Sequence, residues 1–158
     1  MFDWDFKRGT HVHVPEGRLK IPIKIAGMPL DFSWAGLSIP VVHRKVATVL
    51  TKVASDEIQL IPAAVEGLPD PHFVLVATHL IRCIDEEASK VRFWTPEHGV
   101  PDKVGQYLGM DRLCIDKTKV GDAQVFRPEG WEVVLLVSEE IKDALERMGT
   151  TGARFEEV

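Results

Sequence analysis

WEVVLLVSEEIKDALERMGTTGARFEEV, Trp131 to Val158, is the stretch whose reading decides the fold class. Trp131, Val133, Leu135 and Val137 fall on one side of a period-two pattern and Val134 and Leu136 on the other, as in a buried strand. Ser138 suits the cap position, where its hydroxyl accepts a hydrogen bond from a free amide of the first helical turn. Glu139 and Glu140 follow where the helix dipole favours negative charge. Ile141, Ala144, Leu145 and Met148 then form one helical stripe, Gly149 fits the left-handed position past a helix end, and ARFEEV reads as a closing strand. Strand, helix and strand in so short a run give a mixed α and β chain, and none of these residues forms an evident catalytic constellation.

The rest of the chain extends that pattern. Phe2, Trp4 and Phe6 alternate with Asp3 and Asp5, which predicts a short strand at the start. Leu19, Ile21, Ile23 and Ile25 alternate with Lys20, Pro22 and Lys24; Pro22 has no amide to donate, which places this strand at an edge or beside a bulge. Residues 30–34 predict a second short strand. Val42, Val46, Val49, Leu50 and Val53 lie on one helical face, with His43 at the capping position. Residues 56–65 predict a strand in which Pro62 again signals an edge or bulge, and residues 73–84 are apolar on both faces, as in a strand covered on both sides. Residues 94–106, rich in Pro, Gly and charge, predict a long surface loop of the kind that carries function. Residues 108–116 and 123–127 predict short strands. Val42, Val46, Leu50 and Leu60 are echoed in spacing by Val137, Ile141, Leu145 and Phe155. The fold class is therefore α+β: mixed, mainly antiparallel sheets with two main short amphipathic helices, in one domain over residues 1–158.

A chain of 158 residues with a net charge of −5 lacks the concentrated basic stripe of a nucleic-acid binder. Its basic pairs, such as Lys7-Arg8 and Arg44-Lys45, read as solvated surface, and an acidic exterior suits a basic protein partner. No apolar run reaches membrane-spanning length, and the start MFDWDFKRG lacks the apolar core of a signal peptide, so a reducing cytoplasm is the expected compartment. Cys83 and Cys114 both sit in apolar patterns and read as buried free thiols.

His11 and His13 on a strand share a face, yet two ligands without a Cys or carboxylate cluster do not make a metal site. Neither metal nor cofactor is expected. His79 reads as a packed core residue. Cys83 and His79 share a strand face about 13 Å apart, too far for a nucleophile and its base. Ser138 stands between strand and helix like a hydrolase nucleophile, but Leu136 and Glu140 occupy the positions where that elbow has glycine. No glycine-rich phosphate cradle is present. Asp85-Glu86-Glu87 reads as a solvated turn, and Trp94, beside Phe93 at the edge of the polar loop, reads equally as an interface anchor or a core residue. No catalytic residue is expected. The alternative is a small-molecule-binding or enzymatic domain with a pocket near Cys83, His79 and Cys114. A third reading, an oligomer paired through residues 19–25, is discouraged by Lys20, Pro22 and Lys24.

Four segments carry a family resemblance: GRLKIPIKIAGMPLDFSWAGLSIPVV (17–42), EIQLIPAAVEG (57–67), LIRCIDEEAS (80–89) and VFRPEGWEVVLLVSEEIKDALERMGTTGARFEEV (125–158). With its FR-x-x-GW turn, VSE, helix and TG-x-x-F ending, the last is the most specific. On these the chain resembles an immunity-protein family of bacterial polymorphic toxin systems. Family members look longer at the amino end, so the resemblance implies a chain lacking an N-terminal segment. It also implies a cytoplasmic antidote that binds a cognate toxin domain stoichiometrically, most commonly a nuclease, with no catalytic residues to carry over. For toxin contact, the acidic turn and the aromatic loop give Asp85, Glu86, Glu87, Trp94, Glu97 and Asp102.

Overall fold

The computed structural model describes residues 3–14, 19–23 and 27–158. In chain order its elements are β1 (Leu19–Ile21), β2 (Phe32–Ala35), β3 (Ile39–His43), α1 (Arg44–Ala54), β4 (Ile58–Val65), β5 (His72–Ala77), β6 (Leu80–Ile81), β7 (Arg92–Phe93), β8 (Tyr107–Gly109), β9 (Val125–Pro128), β10 (Leu136–Val137) and α2 (Glu139–Arg147). The main sheet has the order β1-β4-β5-β3-β2, antiparallel except where β1 runs parallel to β4. A smaller sheet has the order β10-β9-β6, and β7 and β8 form a separate hairpin. The expected α+β class, mainly antiparallel with two helices, is what the chain adopts.

β5 is central because it is apolar on both faces. Leu75 and Ala77 face α1 and α2, in a core with Val42, Val46, Leu50, Ile141 and Leu145. Val74 and Val76 face the opposite side, packed with Val41, Ile61, Ala63 and the N-terminal residues Phe6 and Val12. Such a strand has no solvent side, and the sequence pattern over its residues shows it. It ends at Ala77; Leu80 and Ile81 belong to the small sheet, so the single long strand expected over 73–84 is two strands in two sheets.

The sequence places both helices and their caps. His43 Nδ1 accepts the amide of Lys45 at 3.1 Å, and Ser138 Oγ accepts that of Ile141 at 3.3 Å. α1 begins at Arg44, however, and Val42 is the last apolar residue of β3 rather than the first of the helix. Gly149 adopts φ +72°, as expected for the residue past α2. The echoed residues all pack into the one core shared by α1 and α2, but the echo stops there: Leu60 lies in β4 whereas Phe155 lies in an irregular tail.

Several expected strands are replaced by turns. Residues 3–7 form a 3-10 helix; Phe2 lies outside the described residues. Lys7, expected on the surface, is 3 % exposed. The next stretch runs extended past Gln59, whose side-chain amide accepts Val12 N–H at 2.6 Å and donates to Val12 C=O at 2.9 Å, doing the work of a strand neighbour. Pro62 is tolerated in β4 because, among the described residues, β1 pairs only with Ala63–Val65 and no strand lies on that side at the proline. β1 is an edge strand, as Pro22 implied, although residues 24–26 lie outside the described residues. Residues 131–134 are a turn and not the first half of a strand, and residues 153–158 form no strand.

Arg127 explains the turn. It is fully buried in β9 and donates from Nη1 to the carbonyl of Glu132 at 2.8 Å and from Nη2 to that of Ser38 at 2.9 Å. The Glu132 carbonyl, committed to a guanidinium, is not free for a strand ladder. Burial pulls the Arg127 pKa down to about 10, which leaves it charged at neutral pH. A second fastening joins the sheets: Glu57 Oε2 accepts the amides of Gln124 and Val125, both at 2.7 Å.

Arg127→Ala is expected to cost about 3 kcal/mol, since it strands two buried carbonyls and opens a cavity. Arg127→Lys is expected to recover less than half, because one ammonium cannot span both acceptors. Ser138→Ala is expected to cost about 1 kcal/mol through the lost cap. Urea denaturation midpoints at constant m-value check all three.

Candidate functional site

Every residue expected at a contact surface falls in one region, on two adjoining elements. Asp85, Glu86 and Glu87 form the turn after β6, where Asp85 Oδ1 accepts the amide of Ala88 at 2.9 Å. Trp94, Glu97 and Asp102 belong to an arm, the β7–β8 hairpin with two short 3-10 turns at its tip. The elements are joined by Tyr107, whose hydroxyl donates to Glu86 Oε1 at 2.8 Å. Gly130 supports the same junction. At φ +89° it lies so close to Tyr107 that a Cβ there would sit 2.7 Å from the ring. The arm and turn are thus one unit, fixed by a tyrosine wedged between a carboxylate and a glycine.

The arm differs from the expectation in two respects. Trp94 is half-buried rather than presented: its ring meets His98 edge-on at 5.4 Å, and Lys103 Nζ lies 4.8 Å over its face. Phe93, Val100 and Val104 are more exposed than Trp94. Nor is the arm acidic as a unit. Between residues 90 and 112 Lys90, Arg92, Lys103 and Arg112 oppose Glu97, Asp102 and Asp111. Glu97 and Asp102 are exposed on its two short turns, and Glu86 is committed to Tyr107.

The chain's charge lies elsewhere. Residues 129–158 hold eight carboxylates and three basic side chains, a net of −5, whereas residues 1–128 balance at sixteen of each. The whole net charge therefore belongs to the turn before β10, α2 and the tail. A segment-by-segment charge count of the sequence would have found this; the overall net charge conceals it.

The residues of the alternative pocket do not line a cleft, although the bridge between Ile84 and Ile115 sets the two cysteine segments side by side. Cys83 is fully buried against Phe126 and Leu136, and burial pushes its thiol pKa up, away from the reactive thiolate. Cys114 is held through its backbone, which exchanges two hydrogen bonds with Ser89 Oγ. His79, expected in the core, is exposed at the corner between β5 and β6. None of the three lines either of two surface clefts.

The larger cleft, about 310 Å³, contains His43, Asp70 and His72 at the end of the main sheet. His43 Nδ1 accepts from Lys45, so its proton is on Nε2, directed at Asp70 Oδ2 at 3.2 Å. His72 Nδ1 meets the Asp70 carbonyl at 2.8 Å. His43 ties the 66–71 loop to the start of α1 with both ring nitrogens engaged, whereas His72, at the start of β5, spends only Nδ1–H on the loop. The smaller cleft, about 100 Å³, is apolar and lies between Trp34 of β2, Leu145 of α2 and Phe155 of the tail. Among the described residues no group of His, Cys, Asp and Glu is arranged to hold a metal, and no helix is long and apolar enough to cross a membrane.

The model described as Immunity protein family (Imm11) matches residues 12–158. No curated protein matches the chain.

Tyr107, the sole tyrosine, gives the arm junction a direct readout. Burial first, then the hydrogen bond to Glu86, push its pKa up to about 12 from the usual 10. The phenol form is favoured by folding, so this stabilisation is complete below pH 10 and is lost as pH rises through about 12. Phenolate absorbance is expected to reach half its change near pH 12 in the wild type and lower in Glu86→Gln, with part of the shift kept because burial remains.

Proposed function

The chain belongs to the immunity protein family Imm11, and from that premise we propose that it neutralises a cognate bacterial toxin by binding it one to one in the cytoplasm, performing no reaction of its own. The observation that carries this reading is the extent of the family match, residues 12–158, which takes in both sheets and both helices. The condition of its reactive groups supports it: a buried cysteine with a raised pKa, an exposed lone His79, and histidines whose nitrogens brace a loop. The segregated negative charge supports a basic partner. A nuclease toxin, whose substrate groove is positively charged, fits that requirement and would be drawn in at long range.

On this reading, growth of bacteria expressing the toxin domain encoded beside this chain is expected to be rescued by co-expression of the chain, and the purified pair to elute as a one-to-one complex. Substrate turnover by the isolated chain, or no rescue with both proteins expressed, overturns the reading. Glu97→Lys with Asp102→Lys measures what the arm contributes. A slower on-rate with a shallower salt dependence assigns it a steering role, and unchanged kinetics remove these two residues from the contact set.

A further inference from the structure

We propose that the cleft at the end of the main sheet is a receptor for a guanidinium group, held by Asp31, Asp70 and His72. On the toxin-binding reading above, on which this second half rests, the group belongs to an arginine side chain of the toxin. The cleft measures about 310 Å³, the size of a small ligand pocket, and Leu68 and Pro69 give it an apolar wall. Its polar lining is Asp31, His43, Lys45, Asp70 and His72.

Hydrogen bonding decides what the two imidazoles offer. His43 has both nitrogens engaged, Nδ1 with the Lys45 amide and Nε2–H with Asp70 Oδ2. His72 Nδ1 meets the Asp70 carbonyl at 2.8 Å; a carbonyl only accepts, so in the uncharged ring Nδ1 bears the proton and Nε2 keeps a lone pair. His72 is 5 % exposed, with its ring set edge-on to that of His43 at 5.3 Å between centroids. Its Nε2 has no hydrogen-bond partner among the described residues, yet it is not sealed in the interior, so the lone pair opens to the cleft. A side chain buried this far, with an acceptor left over, is a built half of a hydrogen bond.

Two carboxylates join it. Asp70 Oδ2 takes the His43 proton and Asp31 Oδ2 takes the Thr151 amide at 3.1 Å, which leaves Oδ1 of each without a partner among the described residues. Asp31 is held in place by a clasp, because its own amide donates to Thr151 Oγ1 at 3.0 Å. Neither carboxylate forms an ion pair with a Lys or Arg among the described residues. Lys45 is the one basic side chain lining the cleft, set against two carboxylates and a lone pair. A guanidinium brings a positive charge and five N–H donors in one plane, so it answers several acceptors at once, while its aliphatic stem suits Leu68 and Pro69. An anion would meet both carboxylates, and the described groups are not arranged to hold a metal. Arg is also among the residues most enriched at interface hot spots.

The test titrates the purified chain with N-acetylarginine amide and follows the His72 ring and Leu68 methyl signals by NMR. Saturable shifts are expected, and none with the citrulline counterpart, which keeps the shape and lacks the charge. Asp70→Asn and Asp31→Asn, which retain an oxygen acceptor for His43 and Thr151, are each expected to weaken binding by about tenfold. Lys45→Gln, at the exposed start of α1, is expected to tighten it by about threefold by removing the competing cation. An unchanged thermal melt shows that each variant is folded. No saturable shift in the wild type, weaker binding in Lys45→Gln, or the same signals moved by inorganic phosphate instead overturns the site. The source is tested with a catalytically inert version of the toxin domain encoded beside this chain. Tenfold weaker toxin binding in both aspartate variants assigns the guanidinium to the toxin, and unchanged affinity overturns that assignment in favour of a free guanidinium compound. A wild type that does not bind the domain removes the toxin-binding reading, while the arginine titration still decides the cleft.

Discussion

The guanidinium of Arg127 is the interaction on which the arrangement of this molecule turns. From the middle of the small sheet it reaches the Ser38 carbonyl in the β2–β3 turn and the Glu132 carbonyl before β10. Ser38 has φ +68°, a left-handed conformation that costs an ordinary residue about 1–2 kcal/mol. A charge-assisted hydrogen bond to its carbonyl offsets that cost. One side chain therefore sets the turn that ends β2 and the entry to α2, the two elements that border the apolar cleft. Burying a charge is expensive, and Arg127 Nε finds no partner among the described residues. The position is justified by what the two carbonyls hold in place.

The same frame occupies several of the chain's reactive groups. Cys83 lies under Phe126 and Leu136, and His43 at the end of the main sheet has both ring nitrogens engaged. On the proposed reading such a protein acts by occupying space on its target, which requires a rigid core more than reactive side chains. β5, covered on both faces, supplies that rigidity.

Both edges of the main sheet are protected, each in its own way. β1 is short and carries Lys20, with Pro22 just beyond it. β2 is fastened by Thr151 at its start, with only one residue facing outward farther along. Edges treated in this way resist strand-by-strand aggregation while leaving side chains available. The arm has a comparable economy: Tyr107 locks it to the Asp85–Glu87 turn, so that its charged tip extends from a fixed base.

By itself the sequence determined the elements whose signals are local. The double-faced apolar run of β5, the stripes of α1 and α2, the caps His43 and Ser138, and Gly149 past α2 are all set by spacing along the chain, because their hydrogen bonds and apolar faces close within a few residues. Tertiary structure alone decided where period-two patterns become strands. Trp131–Val134 alternates well enough, yet a guanidinium from β9 takes the Glu132 carbonyl, and Phe2–Phe6 alternates while residues 3–7 wind into a 3-10 helix. The candidate surfaces divide in the same way. The acidic turn and aromatic loop were legible as exposed polar sequence. The meeting of Trp34 with Phe155 was not, since these residues lie more than a hundred positions apart and are brought together by the clasp between Asp31 and Thr151. Alternation shows which side chains share a face; only the partner that claims the backbone decides whether that face belongs to a sheet.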